Sequence, residues 1–317
     1  MNNLKKIGLS ALAGALVSTS AFAADMSVTG GASITFTGQE NNVDGNGWSM
    51  NDGLSFAGSS DLDNGWTVGM AMTIDNSDGT AGKVIDNRSI TVNMGDSGTF
   101  TFAGSAGDSV LSAIDDVTPN AYEESWDIIS GATAPVSSTT SDNMMSYSNA
   151  ALVDGLTVNL SYVPSGTAQA EGTSEIGVAY SVAAVEGLTV GYALGENKAS
   201  ATNNIDVTNT YLTFTTDMGL TFGAQVSESD GQTASGDIDF GAYGLTYAIN
   251  EDLSIGYSMS EIDYENTTLE DQEANGVSVS YTNGSMTLAG AHNSVDNAGG
   301  TSSADSSGYE INLAFAF

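Results

Sequence analysis

Six carboxylates crowd one stretch of the chain: Asp108, Asp115, Asp116, Glu123, Glu124 and Asp127. They sit in SAGDSVLSAIDDVTPNAYEESWDIISGATAPVSSTTSD, about 38 residues from Ser105 to Asp142. Adjacent pairs such as Asp115–Asp116 and Glu123–Glu124 do acid–base work only when their surroundings pull the two pKa values apart. Otherwise their work is electrostatic, with Ca2+ bridging their oxygens as the metal chemistry that hard carboxylates suit. Nucleophilic catalysis needs an activating base, yet the chain has one histidine and no cysteine. That residue, His292, shares the parity of Met286, Leu288 and Gly290 and is expected to point away from any polar face. The run DLDNG at 61–65 opens like a calcium-binding loop but lacks the distal Glu, and reads as a turn. The chain therefore reads as a non-enzyme that needs no cofactor.

The elements that must hold these residues are strands. The first 23 residues, MNNLKKIGLSALAGALVSTSAFA, read as a secretory signal cleaved after Ala23: Lys5 and Lys6, a short apolar run, then Ala-Phe-Ala. Residues 24–317 then keep only Lys83, Arg88 and Lys198 against 39 acidic residues, a net charge of −36. Such a charge argues against nucleic acid and favours cations as partners. High net charge can mark disorder, but here 40% of residues are hydrophobic and only 14% charged, with 38 glycines, which describes ordered, turn-rich β structure.

Alternation of period two runs from end to end. Val28, Ile34 and Phe36 begin it; Trp66, Val68, Met70, Met72 and Ile74 continue it. Leu188, Val190, Tyr192 and Leu194 carry it through the middle, and Tyr309, Ile311, Leu313, Phe315 and Phe317 end it. Intervening positions are mostly Thr, Ser, Gly, Asn or Ala. Tight turns such as DLDNG (61–65), GDSG (95–98), AVEG (184–187) and TNGS (282–285) alternate with longer polar segments such as VPSGTAQAEGT. The count is about sixteen strands, seven short turns and eight long loops. An even strand number with short turns at one end and long loops at the other predicts an all-β, transmembrane antiparallel barrel. Small side chains could not fill so wide a closed sheet, so the aliphatics should face lipid and the small polar groups a watery lumen. Tyr and Phe near strand ends fit the interfacial girdles. Because an unpaired peptide group in hydrocarbon costs several kcal/mol, the last strand must close on the first, with residues 24–36 pairing to 309–317.

At this point the chain resembles the trimeric general-diffusion porins of Gram-negative outer membranes, particularly the alphaproteobacterial type. The terminal strand YEINLAFAF, the turn–loop alternation and the outsized loop after the fifth strand carry that resemblance. It implies that the third loop, about 105–142, folds into the lumen and narrows the pore. Tyr122, Trp126 and several aliphatics within 108–129 fit an ordered, inward-packed loop. It also implies that Tyr309, Ile311, Leu313, Phe315 and Phe317 double as the address read by the barrel-assembly machinery. Homotrimers, contacts with outer-membrane lipid and lipopolysaccharide, and passage of small hydrophilic solutes and cations follow from the same resemblance.

On this reading the six loop carboxylates form an acidic constriction; a solvated loop in a chain acidic throughout would look the same. The family sets a basic cluster across the pore, and this sequence departs from that pattern. Only Arg88 lies near the eyelet, as a candidate member of the constriction. Its parity with Ile90, Val92 and Met94 points it outward instead, toward lipid or a neighbouring subunit. An all-acidic, cation-preferring lumen is the expected substitute. The rival readings are a substrate-specific outer-membrane channel and a secreted β-rich adhesin or surface-layer protein. The first usually shows an aromatic or basic ladder along the lumen; the second has no need of the turn–loop alternation or the terminal aromatic.

Overall fold

The structure, a computed structural model, describes residues 25–40, 47–75, 85–135, 142–165, 171–198, 204–231 and 236–317. The expected signal segment and Lys83 lie outside these residues. Six strands precede or flank the long loop: β1 (Asp25–Gln39), β2 (Trp48–Asp61), β3 (Thr67–Asp75), β4 (Ile85–Asn93), β5 (Thr99–Ser105) and β6 (Met144–Val153). Five more are β7 (Leu156–Val163), β8 (Gly172–Ser181), β9 (Leu188–Lys198), β10 (Ile205–Thr215) and β11 (Leu220–Gly231). The last five are β12 (Ile238–Ala248), β13 (Leu253–Tyr264), β14 (Gln272–Asn283), β15 (Met286–Asp296) and β16 (Ser306–Ala316). Each pairs with its sequence neighbours, and β16 pairs with β1, so the sheet is a closed antiparallel barrel of sixteen strands. Closure removes every sheet edge, which a membrane demands.

The seam differs from its expected register. Residues Gly31 to Gln39 pair with Ala316 to Gly308, and the Gly30 and Phe317 backbones exchange two further hydrogen bonds (2.7 and 2.9 Å). Asp25 to Thr29 pair with β2 alone, from Asp25↔Ser59 to Thr29↔Ser55. Closing a barrel requires tilted strands and a register offset around the ring, so the start of β1 runs past the end of β16. Alternation sets which residues share a face but carries no information on that offset.

The two faces follow the parity in the sequence. Tyr309, Ile311 and Phe315 are 43%, 49% and 43% exposed, and Phe317, just past β16, is 70% exposed. Their neighbours Glu310 and Asn312 point inward, where Asn312 Nδ2 donates to Thr35 Oγ1 (2.7 Å). The seam is reinforced outside by Phe36, whose ring lies 4.8 Å from Trp48 and 6.0 Å from Tyr309. Hydroxyls pair across the inner face of the first strands, as in Ser55–Thr73 (2.9 Å) and Thr91–Thr101 (3.3 Å). Buried apolar side chains instead gather where the long loop meets the wall. Val110 and Leu111 pack with Ala193 and Val207; Trp126 with Phe240, Ala242 and Ile262; Ile129 with Ala274 and Val295.

Candidate functional site

The loop between β5 and β6 leaves and rejoins the wall at one point, where Ala106 N–H donates to Asp142 Oδ1 (3.3 Å). Over residues 110–133 it runs along the inner wall. Val110 N–H donates to Ser161 Oγ on β7 (3.1 Å), and Leu111 N–H to Glu175 Oε2 on β8 (2.8 Å). Ala121 N–H reaches Ser278 Oγ on β14 (3.1 Å), and Ser125 Oγ meets Ser260 Oγ on β13 (3.1 Å). Such a course satisfies loop amides that would otherwise be stranded away from water.

Four wall amides, all at most 1% exposed, clasp the loop backbone. Asn209 Nδ2 donates to the Ile114 carbonyl (2.8 Å). Gln225 uses both ends, accepting from Val117 N–H (3.2 Å) and donating to the Asp115 carbonyl (2.9 Å). Gln272 does the same to Thr133 (2.8 and 3.0 Å). Asn293 donates to the carbonyls of Glu124 (2.5 Å) and Asp127 (2.8 Å). Sequence reading passed over these four. Gln225 did carry a signal, a long amide standing between Gly223 and Ser227 on the lumenal parity.

Glycine supplies the groove in which Pro119 rests. A Cβ on Gly223 would lie 2.6 Å from Pro119 Cδ, and one on Gly244 would lie 2.5 Å from the Pro119 carbonyl oxygen. Backbone can approach backbone this closely only where the wall has no side chain.

The six loop carboxylates are not one cluster. Asp108 is exposed at the start of the loop, near the inward-facing Thr99, Thr101, Ser146 and Ser148. Asp115 and Asp116 are half-buried further along, at the Gln225 clasp. Glu123, Glu124 and Asp127 come together, with one carboxylate oxygen of each within 4.8 Å of the others. Glu123 and Glu124 are only 9% and 6% exposed, so they are wedged between loop and wall rather than lining open water. Burial, then the Asp127 charge, raises the Glu123 carboxyl to about 9. Burial, then hydrogen bonding with Asp127, pushes Glu124 well above the carboxylate range. Tyr122 packs on Ala289 and Ala291, and its hydroxyl donates to Glu310 Oε1 (2.5 Å); Glu310 Oε2 accepts from Thr37 Oγ1 (3.1 Å). Burial, then the Glu123 charge, raises the Tyr122 phenol. The loop is thereby tied to the closing seam.

Arg88 stands apart from this site. It is exposed on the face of Ile90, and its side chain lies across Gly104, whose Cβ would be 2.8 Å from Arg88 Nε. A register shift between Arg88 and Ser89 sets Gly104 as the extra residue, and Phe102, two before it, is Ile90's partner on the outer face. Arg88 therefore belongs with the outer face and not with the constriction. Lys198 also stays outside the lumen, ion-paired to Glu196 (2.7 Å) and Glu171 (3.4 Å). His292 is exposed opposite Tyr309 on the outer face. Among the described residues, no basic side chain projects into the lumen.

This architecture has close counterparts. An engineered triple mutant of Rhodopseudomonas blastica porin superposes with a TM-score of 0.68 at 16% identity, covering 92% of this chain and 100% of its own. An anion-selective porin from Comamonas acidovorans gives 0.69 at 13% identity, covering 93% and 100%. At such identities the likeness concerns the fold. No curated protein sequence matches the chain significantly. The family profile for Gram-negative porins matches residues 8–268, more than half of the chain. With its closed sixteen-strand barrel and an ordered loop inside it, the chain belongs to the Gram-negative porin family, and its place is the outer membrane.

Proposed function

We propose that this porin passes small hydrophilic solutes and ions by passive diffusion and prefers cations. One observation carries the preference: among the described residues the lumen holds carboxylates and no basic side chain. Burial of Glu123 and Glu124 shifts the filter to Asp108, Asp115, Asp116 and Asp127. Beside Asp108 the wall offers uncharged hydroxyls, including Thr99, Thr101, Ser146 and Ser148. Two unit charges ~7 Å apart interact by about 0.6 kcal/mol in water and by ~2 kcal/mol at an effective dielectric near 20. Several carboxylates beside a narrow passage then favour cations by on the order of 1–3 kcal/mol. The Comamonas porin is anion-selective, but it shares a fold with this chain, and selectivity resides in lumenal side chains. Small wall residues without an aromatic or basic ladder favour general diffusion over a substrate-specific channel. Assembly as a homotrimer, contact with lipopolysaccharide and delivery by the barrel-assembly machinery remain part of the proposal through the family resemblance.

Reversal potentials across planar bilayers in a salt gradient test it. Cation preference should weaken as the Debye length falls from about 8 Å at 0.15 M to about 3 Å at 1 M salt. Neutralising Asp108, Asp115, Asp116 and Asp127 together should reduce it more than neutralising four carboxylates on the outer face. Equal effects, or anion preference, would overturn the reading.

A further inference from the structure

Beneath the start of the loop, beside Asp108, lies a cavity of about 210 Å³. At ~30 Å³ per water in the liquid, that is space for about seven waters or for one sugar ring with its hydroxyls. We propose that this niche is a binding subsite for a neutral monosaccharide in its pyranose form, held to one side of the diffusion path. Strand register builds it. Thr99, Ser148, Asn159 and Gly177 are successive cross-strand partners on the inner faces of β5 to β8. Two residues nearer the short turn on β8, Ala179 pairs with Gly191, and Gly191 pairs with Tyr211 on β10. Glycine and alanine keep this floor low. The loop is the roof: Val110 rests over Gly177, whose Cβ would lie 2.5 Å from Val110 Cγ1. Tyr211 lies down across Gly191, where a Cβ would overlap ring atoms Cε1 and Cζ. One side of the ring is thus set against the wall, and the other is left to the cavity that Tyr211 lines.

A pyranose asks for two kinds of contact at once. Its C–H face is apolar and slightly positive, and it suits the negative face of an aromatic ring. Its hydroxyls both donate and accept, so they need partners of both kinds. Tyr211 supplies the platform. The Asp108 carboxylate accepts, the Asn159 amide donates and accepts, and the Thr99 and Ser148 hydroxyls do either. Among the described residues, the side chains of Asp108, Asn159 and Tyr211 make no hydrogen bond to other protein groups, so their capacity is open to a ligand. A concave site, partly apolar, with a few convergent polar groups is the usual form of a small-molecule site. An organic cation would find Asp108 and one ring, but the remaining polar groups are uncharged, and a single ring is not the aromatic cage that quaternary ammonium groups favour. The niche presupposes the diffusion pore proposed above and adds weak retention to it, through one platform rather than a ladder.

The test uses the folded barrel in planar bilayers and, separately, in a detergent without a sugar headgroup, with D-glucose as the probe. Single-channel conductance should fall saturably with glucose, with half-effect in the millimolar range that a ligand this small allows. Sorbitol, an open chain with similar hydroxyls, should lower conductance only as far as it lowers that of the bulk solution. Saturation-transfer NMR on the detergent-held barrel should mark the glucose C–H protons and leave sorbitol unmarked. Tyr211→Ala should weaken the glucose effect about five- to tenfold, whereas Tyr211→Phe keeps the platform and should stay within about twofold. Gly191→Ala removes no contacting group but drives the ring off the wall, and should weaken glucose to a similar degree. It also serves if Tyr211→Ala fails to give a heat-modifiable barrel. Gly241→Ala, where a Cβ meets open space on β12, should change nothing. Equal effects of glucose and sorbitol would overturn the proposal, as would a glucose effect indifferent to Tyr211→Ala and Gly191→Ala. So would choline blocking in place of glucose, which would assign the niche to a cation. A barrel that conducts without responding to glucose sinks the niche and leaves the diffusion pore standing. A barrel that does not conduct sinks the pore, and the NMR transfer then decides the niche alone.

Discussion

Replacing Gly244 with alanine should loosen the loop while leaving the barrel intact. Alanine fits a strand at least as well as glycine does, and position 244 is paired on both sides, to Gly223 and Ser258. Its methyl group, however, would lie 2.5 Å from the Pro119 carbonyl oxygen and 2.7 Å from Pro119 N. Ordinary contact begins near 3.4 Å, so the loop backbone must retreat by about 0.9 Å, the difference from 2.5 Å. Two residues to either side, the Val117–Gln225 and Ala121–Ser278 hydrogen bonds are already 3.2 and 3.1 Å long. That retreat would carry both beyond useful length. Overpacking of this kind costs about 1–3 kcal/mol, which at about 1.4 kcal/mol per tenfold raises local opening roughly five- to 140-fold. Hydrogen exchange on peptides covering 115–122 reads this directly, with strand peptides as the internal reference. Unchanged protection of the loop, or an equal loss in the strands, would refute the idea that glycine makes the groove.

Other perturbations separate the loop from the shell. Trp126→Ala removes a side chain set edge-on to Phe240 at 5.3 Å and should cost the loop about 3–5 kcal/mol, seen as noisier single-channel currents from a barrel that still shifts mobility on heating. Gln225→Ala strands the Val117 N–H and the Asp115 carbonyl at the wall, each worth about 1–3 kcal/mol if left buried without a partner; accelerated exchange at Val117 is the readout. Deleting Phe317 or replacing it with Asp removes the residue whose backbone makes the last two seam bonds with Gly30. Insertion should fail, and wild-type amounts of heat-modifiable barrel would contradict that role.

Much of the shell was legible because a membrane barrel writes its pattern everywhere. Leu188, Val190, Tyr192 and Leu194 announce both a strand and its outward face, and Asp or Gly at turns fixes where strands end. The seam offset was not legible, since Gly31↔Ala316 and any pairing shifted by two residues place the same faces together. The long loop was legible in position and in its inward character, from Tyr122 and Trp126, but its course was not. That course depends on Asn209, Gln225, Gln272 and Asn293, each 95 to 169 residues distant from the loop atoms it holds. Glu123 and Glu124 misled for a physical reason: charge usually signals exposure, whereas here Tyr122 and Trp126 anchor the segment and draw the intervening carboxylates under it. Arg88 follows its parity with Ile90 to the outer face, while the shift opposite Gly104, on the neighbouring strand, is a feature that alternation alone does not disclose.

The central claim is that the loop leaving β5, over its described residues 106–135, lies within a water-filled barrel and narrows it. Its two ends meet through Ala106 and Asp142, so residues 109–133 can be replaced by a short Gly/Ser link without stretching the wall. Single-channel conductance of that variant against the unaltered protein, each confirmed as a heat-modifiable barrel, is the most direct measurement. The account predicts discrete steps of larger conductance and weaker ion preference in the shortened protein; equal conductance and equal preference would contradict it.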